Sequence, residues 1–369
     1  MGIKVFWLLP TDSDGRALSP ELWNRGDYAP TRPRANPRTG GQRDGFTVYD
    51  HFAQIAGAAD LARFDGLWIP HGSTGEEPLI VAGAIAREAR HVKLVPSLRA
   101  PLLSAVYAAK IANSFQRLSG GRLAWNLITV DDPPKVWHGR HWSIAEQIER
   151  TGEFLDVAKG FWNNAPFTYQ GKYYEVENGG FAPALQGPVF PIVYLSGETD
   201  EAYALSARHA DIHVLPLLPV DELAARIARL RDLAGGRGRS IGFAVKADIV
   251  ARHTDDEAWA DLRARWADSA DRTVVPFSSA EAASAAPTFE ALIANDNLWT
   301  GFDFVHPGGA AGLVGSYDNV SERVGEYYEA GVDTFILGSN PSLNEVLRVG
   351  EKILPQLRAR AASSKRQAA

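Results

Sequence analysis

Residues 190–216, FPIVYLSGETDEAYALSARHADIHVLP, hold the pattern that decides the fold. The apolar run Ile192–Leu195 predicts a buried strand, and Ser196-Gly197 ends it in a small-residue turn. Thr199 stands at a helix N-cap position, and a second strand is predicted from Asp211 to Pro216. A strand, a turn and a helix start place free backbone N–H groups and a positive dipole end at the carboxyl edge of a sheet. This arrangement suits a phosphate group.

The same strand–helix unit recurs through the chain. Buried-type strands are predicted at residues 5–10, 66–70, 93–98, 122–128, 192–195, 211–216, 241–251 and 334–338, with helices between them. Eight such units in order predict a closed parallel (β/α)8 TIM barrel. A doubly wound open sheet is the alternative. That fold normally has a glycine-rich fingerprint after its first strand, where this chain has Leu9-Pro10-Thr11-Asp12.

We expect one barrel domain over residues 1–369, with several departures from the regular repeat. Two short aromatic strand candidates within residues 166–190 predict a hairpin excursion. The segment from about 254 to 311 is helical and then rich in Ser, Ala and Gly, which indicates an inserted lid. The polar loop 11–47 is long for a simple connection, so we expect it to be functional or to contact a partner. Residues 360–369 are expected to be a frayed tail.

Composition restricts the function. The 369 residues carry a formal net charge of −6 without a basic block, which argues against a nucleic-acid partner. No apolar run approaches the roughly 20 residues of a membrane span. The N-terminal stretch reads as a first strand rather than a signal peptide. The absence of cysteine excludes disulfides, thiolate metal sites and a cysteine nucleophile. We therefore expect a soluble, cytoplasmic protein.

Polar residues at the predicted strand ends are the candidates for chemistry, because a TIM barrel builds its site there. The candidates are His71, Ser97, Arg99, Asn126, Thr129, Gly197, Glu198, Thr199, His213, Lys246, Asp248 and Asn340. Asn126, between two apolar neighbours, either contacts a ligand or bridges adjacent strands. His71 and His213 are interpreted first as hydrogen-bonded barrel histidines and second as proton-transfer groups.

The sequence offers little chemistry of its own. His138 and His141 have a spacing that suits a metal pair, but no carboxylate or third histidine stands at a supporting distance in the sequence. No serine stands in a nucleophile elbow. A site with neither a metal nor a nucleophile of its own indicates that a bound cofactor performs the chemistry.

Seven short motifs occur in an order and spacing typical of one known family. They are Asp65–Pro70, Leu118–Arg122, Asn126–Thr129, Arg150–Phe154, Tyr169–Tyr173, Asn297–Trp299 and Leu313–Gly315. In these motifs the chain resembles the bacterial luciferase-like flavin monooxygenases, and among them the alkanesulfonate monooxygenase branch. The resemblance implies a TIM barrel and reduced FMN (FMNH2) delivered by a separate NAD(P)H-dependent flavin reductase. It further implies O2 as the oxidant and a homodimer or homotetramer.

The resemblance also assigns a cofactor site. By position, the residues that would bind the flavin are Ser97, Arg99, Asn126, Thr129, Gly197, Glu198 and Thr199, of which the last three form the phosphate turn. Two departures from the family accompany this assignment. The family's Arg-Tyr pair at the start of the long helix is replaced by Gln147-Ile148, and Glu198 brings a like charge next to the phosphate.

The substrate side departs further from the family. In the sulfonate branch, strand seven carries an arginine and a histidine where this chain has Lys246 and Asp248. The branch's lid arginine falls on His306, and its tyrosine after strand eight falls on Asn340. Losing arginines and gaining a carboxylate weakens the grip on a sulfonate. We therefore predict a neutral, partly aromatic or heterocyclic substrate, and the charge of Lys246 leaves an anionic substrate open.

The predicted function is an FMNH2-dependent two-component monooxygenase that uses O2 to oxygenate or cleave a small organic molecule under a mobile lid. His71, His213 or His306 would transfer the proton. Three alternatives stay open. They are an alkanesulfonate-type desulfonating monooxygenase, a deazaflavin (F420)-dependent hydride-transfer oxidoreductase on the same barrel, and a non-catalytic flavin-binding protein.

Overall fold

The computed structural model describes residues 2–11, 48–72, 75–130, 142–270, 287–295, 297–306, 308–339 and 342–367. Several predicted features lie outside these residues. They are the loop 11–47 beyond its first residue, His138, His141, the Ser/Ala-rich part of the expected lid, and Asn340.

Strands and helices alternate along most of the described chain. The strands are β1 (Lys4–Leu8), β2 (Gly66–Ile69), β3 (Lys93–Arg99), β4 (Ala124–Ile128), β5 (Phe167–Gln170), β6 (Glu175–Gly179), β7 (Ile192–Ser196), β8 (Ile212–Pro216), β9 (Gly242–Arg252), β10 (Ile293–Asn295), β11 (Leu298–Trp299), β12 (Gly312–Ser316) and β13 (Thr334–Gly338). The helices are α1 (Val48–Leu61), α2 (Pro78–Ile85), α3 (Ala105–Ser119), α4 (Ile144–Asn163), α5 (Asp200–His209), α6 (Val220–Gly235), α7 (Asp255–Ala270), α8 (Phe302–Val305), α9 (Tyr317–Glu329), α10 (Ser342–Lys352) and α11 (Leu354–Gln367). The parallel strands β1, β2, β3, β4, β7, β8, β9 and β13 belong to a (β/α)8 barrel, which confirms the predicted fold.

The contacts of the chain divide it into two compact units. Unit 1 comprises residues 1–92, 215–227 and 243–369. Unit 2 comprises residues 93–214 and 228–242. The strand–turn–helix stretch that decides the fold lies almost entirely in unit 2.

In unit 2, the parallel strands β3, β4, β7 and β8 follow one another in the sheet. Ser97 on β3 is in register with Asn126 on β4, and Asn126 is in register with Tyr194 on β7. Leu195 on β7 is in register with His213 on β8. Side chains alternate between the two faces of a strand. Ser97, Asn126 and Tyr194 therefore share one face, and Leu195 and His213 share the other.

Helix α5 is capped at both ends by side chains of unit 2. At its start the Thr199 hydroxyl accepts the backbone N–H of Ala202 at 3.2 Å. At its end Lys159 and Arg239 donate to the last free carbonyl groups at distances from 2.7 to 3.0 Å. These cations also complement the negative end of the helix dipole. Because both ends are fixed, the turn that precedes α5 is fixed as well.

The hairpin predicted within residues 166–190 is present as the antiparallel pair β5–β6. Its turn is held by Glu153 of α4, whose carboxylate accepts the backbone N–H groups of residues 172–174 at 2.8–3.3 Å. Hydrogen bonds to a charged acceptor are the stronger kind. The motifs Arg150–Phe154 and Tyr169–Tyr173 are therefore in contact with each other, through the hydrogen bonds of Glu153 to the hairpin turn.

In unit 1, β1 lies between β2 and β13, and β13 lies next to β9. The long strand β9 also pairs with β12, to which the short antiparallel pair β10–β11 is added. The described parts of the expected lid pack around an aromatic core with β9 and β12. This core contains Val250, Ala258, Leu262, Phe289, Trp299, Phe302 and Val314. Residues on either side of the undescribed stretch 271–286 are thus anchored by apolar contacts.

The C-terminal boundaries differ from the prediction. The sequence predicts one last helix over residues 343–357, but the structure has two helices, α10 and α11, that meet at Ile353. Pro355 lies in the first turn of α11, where it has no N–H to lose, but it cannot continue a preceding helix. Helix α11 then runs to Gln367, through most of the segment expected to be frayed. Its Ala, Arg, Lys and Gln residues are good helix formers, which accounts for this difference.

Within the described residues, no helix combines the length and the hydropathy that crossing a membrane requires. The same part of the chain has no group of three or more His, Cys, Asp or Glu side chains placed to hold a metal ion.

Candidate functional site

A polar pair on adjacent strands marks one face of unit 2. The side-chain amide of Asn126 donates to the Ser97 hydroxyl at 2.8 Å. Ser97 is 2% exposed, and Asn126 is half-buried. The structure therefore brings together two of the predicted cofactor-binding residues. The bond bridges two strands and uses one of the two donors of the Asn126 amide.

Arg99 and Thr129 lie at the carboxyl ends of the same two strands. Arg99 is the last residue of β3, two positions after Ser97, so its side chain leaves the same face. Thr129 directly follows β4. Both side chains are buried, with 8% of Arg99 and 6% of Thr129 exposed. Arg99 thus places a positive charge on the face that carries the Asn126–Ser97 pair.

The turn between β7 and α5 requires glycine. Gly197 has a φ of +124°, in the region that L side chains rarely adopt. A Cβ at this position would lie 2.7 Å from the Cβ of Ala202, far inside contact distance. Glu198 and Thr199 are exposed. The turn therefore has no side chain at Gly197, and the Thr199 hydroxyl caps the helix start that follows it.

This turn fits a phosphate-bearing flavin. Gly197 adds no side chain in front of the backbone of this turn, and the adjacent helix start carries the positive end of the α5 dipole. Glu198 is exposed, so water screens its like charge. A cationic and hydroxyl-bearing face, with Arg99 and Ser97, lies in the same unit. The turn and this face are therefore compatible with a phosphate-bearing flavin, the cofactor that the resemblance implies.

His213 lies on the opposite face from the Asn126 pair. Its Nδ1 is 2.8 Å from the Ser206 Oγ on α5, and its ring packs edge-on against Tyr203 with centroids 5.5 Å apart. The side chain is fully buried, and its Nε2 has no hydrogen-bond partner among the described residues. Burial lowers the pKa of His213 to about 4, although an interaction with the Gly197 backbone acts in the other direction. His213 is therefore neutral at pH 7 and packs against α5, the helix that begins directly after the Gly197 turn.

Gln147 stands where the family carries the arginine of its Arg-Tyr pair. It is buried, and its side-chain amide donates to the carbonyl of Trp142 at 3.1 Å. The hydroxyl of Thr151 donates to the backbone carbonyl of Gln147 at 2.8 Å. Gln147 therefore anchors the segment that leads into α4.

In unit 1, Lys246 and Asp248 lie two residues apart on β9 and share a face. Asp248 is 3% exposed. Its Oδ1 is 2.8 Å from the His306 Nε2, and its Oδ2 accepts the Ala310 N–H at 2.7 Å. The Lys246 ammonium donates to the Gly308 carbonyl at 3.1 Å. The structure thus brings three predicted site residues, Lys246, Asp248 and His306, together at one loop.

His71 follows β2 in unit 1 and is half-buried. The residue before it, Pro70, accepts the hydroxyl of Thr11 at 2.9 Å, which ties the ends of β1 and β2 together. His71 therefore lies at the strand end where the sequence put it.

A buried ion network lies beyond the carboxyl end of β9. Glu345 of α10 is 1% exposed, and its carboxylate accepts at 2.6–3.2 Å from Arg252, Arg265 and Arg348. Asp261 of α7 also pairs with two of these arginines. Arg265 donates further to the Ser339 hydroxyl at 3.3 Å. The network ties α7 and α10 to the segment that follows β13.

Sequence reasoning missed the partners in each of these clusters. Ser206 belongs to no motif, and its role follows only from the register that places His213 against α5. Gly308 and Ala310 act through backbone groups, which no side-chain pattern reveals. For the ion network, one signal was visible in the sequence. Glu345 and Arg348 lie three residues apart on one helix, a spacing at which opposite charges pair.

Comparisons with known proteins agree with the fold. A family model described as luciferase-like monooxygenase matches residues 24–334. Among solved structures, a riboflavin lyase with modified FMN and substrate riboflavin has a TM-score of 0.72 at 17% identity, covering 98% of this chain and 92% of that chain. An EDTA monooxygenase from Chelativorans sp. BNC1 has a TM-score of 0.70 at 18% identity, with coverages of 98% and 94%. An F420-dependent secondary alcohol dehydrogenase has a TM-score of 0.65 at 15% identity, with coverages of 97% and 100%. At these identities the structural likeness shows the fold.

Proposed function

Because the chain belongs to the luciferase-like monooxygenase family, we propose that it is the oxygenase component of a two-component, FMNH2-dependent system. Family membership makes it an enzyme, an oxidoreductase of the flavin-dependent monooxygenase class. The proposal concerns the form of the cofactor, the source of its electrons and the kind of substrate. Bound FMNH2 supplies the electrons that allow one atom of O2 to enter the substrate while the other leaves as water.

The turn at Gly197 is the observation that carries the proposal. Gly197 has a positive φ, and a Cβ on it would lie 2.7 Å from the Cβ of Ala202. No side chain therefore fits at this position, which directly precedes the N-terminal amides of α5. A phosphate gains from both the N–H groups and the helix dipole at such a place. The FMN phosphate is therefore assigned to Gly197, Glu198 and Thr199.

The isoalloxazine ring is assigned to the face that bears the polar pair. Ser97, Arg99, Asn126 and Thr129 supply hydroxyl, guanidinium and amide donors to the ring and its side chain. The Asn126–Ser97 bond holds the amide in one orientation. A preset donor loses less conformational entropy when the cofactor binds.

On the substrate side, Lys246, Asp248 and Asn340 are the proposed contacts. Both carboxylate oxygens of Asp248 already accept donors, from His306 and Ala310. The charge of Asp248 is therefore partly compensated within the protein. The Lys246 ammonium is likewise bonded to a protein group, the Gly308 carbonyl. Its charge is therefore partly used within the protein, which supports a neutral, partly aromatic or heterocyclic substrate over a sulfonate. Of the three histidines proposed for proton transfer, His71 and His306 are half-buried, whereas His213 is enclosed by α5.

The remaining partners follow from the two-component scheme. A separate NAD(P)H-dependent flavin reductase would supply FMNH2, and O2 would be the oxidant. The same proposal includes a cytoplasmic location, a homodimer or homotetramer, and a mobile lid over the bound substrate. The lid matters because water in the site would divert the reducing equivalents.

Turnover under labelled oxygen tests the proposal. The protein is mixed with FMN, NADH, a flavin reductase and a panel of neutral aromatic and heterocyclic compounds under 18O2. The expected result is a product that carries one 18O atom and needs both the reductase and this protein. If FMNH2 fails to bind at micromolar concentration, or if no compound gains 18O while FMNH2 is consumed normally, the proposal is wrong.

A deazaflavin-dependent hydride transfer is the second candidate, because the fold is shared with an F420-dependent secondary alcohol dehydrogenase. Such an enzyme needs no oxygen and no separate reductase. Tighter binding of oxidised F420 than of FMNH2, together with alcohol oxidation in the absence of air, would favour it. Sulfite release from alkanesulfonates in the labelled-oxygen assay would instead favour a desulfonating monooxygenase.

A further inference from the structure

Two motifs of the sequence, Asn297–Trp299 and Leu313–Gly315, meet at a cavity in unit 1 that the proposed function leaves unused. The side-chain amide of Asn297 donates to the Val314 carbonyl at 2.9 Å, and the Val314 N–H donates to the Asn297 carbonyl at 2.9 Å. A Cβ on Gly315 would lie 2.7 Å from the Asn297 Nδ2, so glycine is needed for this close approach. The two motifs therefore fix the Asn297 side chain at the wall of the cavity.

The cavity is lined by α7, α9 and Asn297 and has a volume of about 340 Å³. Small-molecule sites typically measure roughly 300–1,000 Å³. The wall includes the partly buried indole of Trp259, which packs edge-on against Phe289 with ring centroids 6.2 Å apart. The proposed substrate contacts Lys246 and Asp248 do not belong to the wall. The cavity is therefore a separate place at which a small molecule could bind.

Negative charge is in excess around the cavity. Carboxylates are contributed by Asp255, Glu322 and Glu326, and a guanidinium by one residue, Arg323. Arg323 donates to Glu326 at 2.5 Å, so these two charges offset each other. The Arg323 Nε is buried in the protein and does not face open space. The charges of Asp255 and Glu322 are left over, which favours a cationic ligand.

Three side-chain groups at the cavity also have oxygen atoms without a donor. Asn297 is 9% exposed, and its Oδ1 has no hydrogen-bond partner among the described residues. The Asn319 amide donates to Asp255 at 2.6 Å, which leaves its Oδ1 in the same condition. The exposed Glu322 carboxylate forms no hydrogen bond or ion pair with the described part of the chain. A buried amide oxygen without a donor is uncommon in a folded protein and indicates a missing partner.

We propose that this cavity binds a small organic molecule through a primary ammonium group. An ammonium has three N–H donors, which match in number the acceptor groups of Asn297, Asn319 and Glu322. Its positive charge offsets the excess of carboxylates, and the Trp259 ring offers an aromatic surface to the organic part.

A metal ion is a poor match for the same cavity. The volume is many times that of an ion, and the described residues contain no group of three or more His, Cys, Asp or Glu side chains placed to hold a metal. An indole ring in the wall also contributes nothing to metal coordination, whereas it suits an organic ligand. The inference goes beyond the proposed monooxygenase function, because it concerns a second site that needs no flavin.

The first test is calorimetric titration of the full-length protein, without flavin, at pH 7. The ligands are benzylammonium, benzyl alcohol, which lacks the charge, and benzyltrimethylammonium, which keeps the charge but has no N–H donor. We expect benzylammonium to bind at least about tenfold more tightly than either of the other two, since it alone combines charge with hydrogen bonding. Equal affinities for the three ligands, or no binding of benzylammonium at millimolar concentration, would overturn the inference.

The second test locates the binding. Glu322→Gln removes the exposed carboxylate at the cavity, and Glu329→Gln makes the same change at an exposed position of α9 outside the wall. We expect Glu322→Gln to weaken benzylammonium binding about threefold to fivefold, because pairs of exposed charges contribute little, and Glu329→Gln to leave it unchanged. The indole N–H signal of Trp259 in 15N–1H NMR, assigned with Trp259→Phe, should shift when benzylammonium is added to the wild type. An unshifted signal, or the same affinity in both glutamine variants, would show that the ligand binds elsewhere and would overturn the inference.

Discussion

At the scale of single residues, the candidate cofactor site depends on a position without a side chain. Gly197 combines a backbone conformation that favours glycine with a neighbour, Ala202, that leaves no room for a Cβ. Thr199 then fixes the helix start that follows. His213 completes the arrangement from the far side, where it is paired with Ser206 and kept neutral by burial. The proposed phosphate site depends on the turn that these residues hold.

Replacing Gly197 with alanine should damage both stability and the turn. We expect Gly197→Ala to lower the free energy of unfolding by about 2 kcal/mol, because strain at positive φ adds to the contact with Ala202. Urea denaturation measures this change. Gly187→Ala is the matched control, since Gly187 has a φ of +116° but a Cβ there would meet nothing within 4 Å. Equal losses in the two variants would show that the contact with Ala202 is not what excludes a side chain.

The buried imidazole of His213 predicts a loss of stability in acid. Its pKa is about 4 in the folded protein and about 6.5 when unfolded, so its contribution is complete above pH 6.5 and is lost as the pH falls towards 4. The loss between pH 7 and pH 4 is roughly 3 kcal/mol from this group. Urea denaturation of His213→Asn should therefore show a shallower fall in unfolding free energy over this range than the wild type.

The control for this prediction is His253→Asn, which removes an exposed imidazole that touches neither Ser206 nor Tyr203. The buried His209, whose pKa burial lowers to about 3, keeps its own acid dependence in every variant. If His213→Asn and the wild type lose stability in parallel down to pH 4, the burial argument fails.

At the scale of elements, the hairpin shows how a motif becomes a contact. Glu153 lies on α4, and its carboxylate accepts the N–H groups of residues 172–174 in the turn between β5 and β6. These N–H groups have a charged acceptor instead of water. Glu149 of α4 also accepts from the Lys172 ammonium at 2.7 Å and from the Tyr173 hydroxyl at 2.8 Å. Glu153 is thus the α4 residue that binds the backbone of the turn, and Glu149 binds its side chains.

Replacing Glu153 with glutamine should release this turn. One carboxylate oxygen becomes an NH2 group that faces N–H donors, so we expect the unfolding free energy to fall by about 2 kcal/mol. Hydrogen exchange of residues 171–176 should rise as well. Glu175→Gln makes the same change at an exposed position on β6 and should leave both measurements unaltered. Unchanged exchange in Glu153→Gln would mean that other contacts hold the turn.

Most elements could be predicted because their patterns are local. Apolar runs marked the barrel strands, and Thr199 marked a helix start that the structure confirms as a cap. The short strands β10 and β11 were not predicted, since three and two residues carry no readable period. The break between α10 and α11 could have been read from Pro355, because proline cannot continue a helix.

The candidate site was less accessible to sequence reasoning. Residues that act near their own strand, such as Gly197 and Asn126, could be picked out from turn chemistry and from a polar residue in an apolar run. The Asp248–His306 pair spans 58 positions, and the other two contacts of Lys246 and Asp248 with that loop are made to backbone groups. No pattern in a single sequence indicates that two residues so far apart along the chain are in contact. The register of the folded sheet supplies it.

At the scale of the whole molecule, long-range polar contacts join elements that are far apart in the chain. The carboxylate of Glu345 gathers three arginines from β9, α7 and α10. Its burial means that removing the charge leaves those arginines without their central partner. Removing one partner of a buried ion pair lowers the unfolding free energy by more than the intact pair contributes to it.

We expect Glu345→Gln to lower the unfolding free energy by about 3 kcal/mol, which thermal and urea denaturation measure. Glu351→Gln is the control, because it changes an exposed carboxylate on the same helix and should shift stability by less than about 0.5 kcal/mol. If Glu345→Gln has the unfolding free energy of the wild type, the arginines find other partners. The ion network would then contribute nothing measurable to stability.

The central claim is that the cofactor's phosphate binds at the turn between β7 and α5, and its most direct test compares two ligands that differ only in that phosphate. Anaerobic titration gives the Kd of reduced riboflavin and of FMNH2 for the wild type and for Gly197→Ala. The account predicts that the wild type binds FMNH2 at least about tenfold more tightly and that Gly197→Ala loses most of this preference. Equal affinity of the wild type for both ligands, or an undiminished preference in Gly197→Ala, would contradict it.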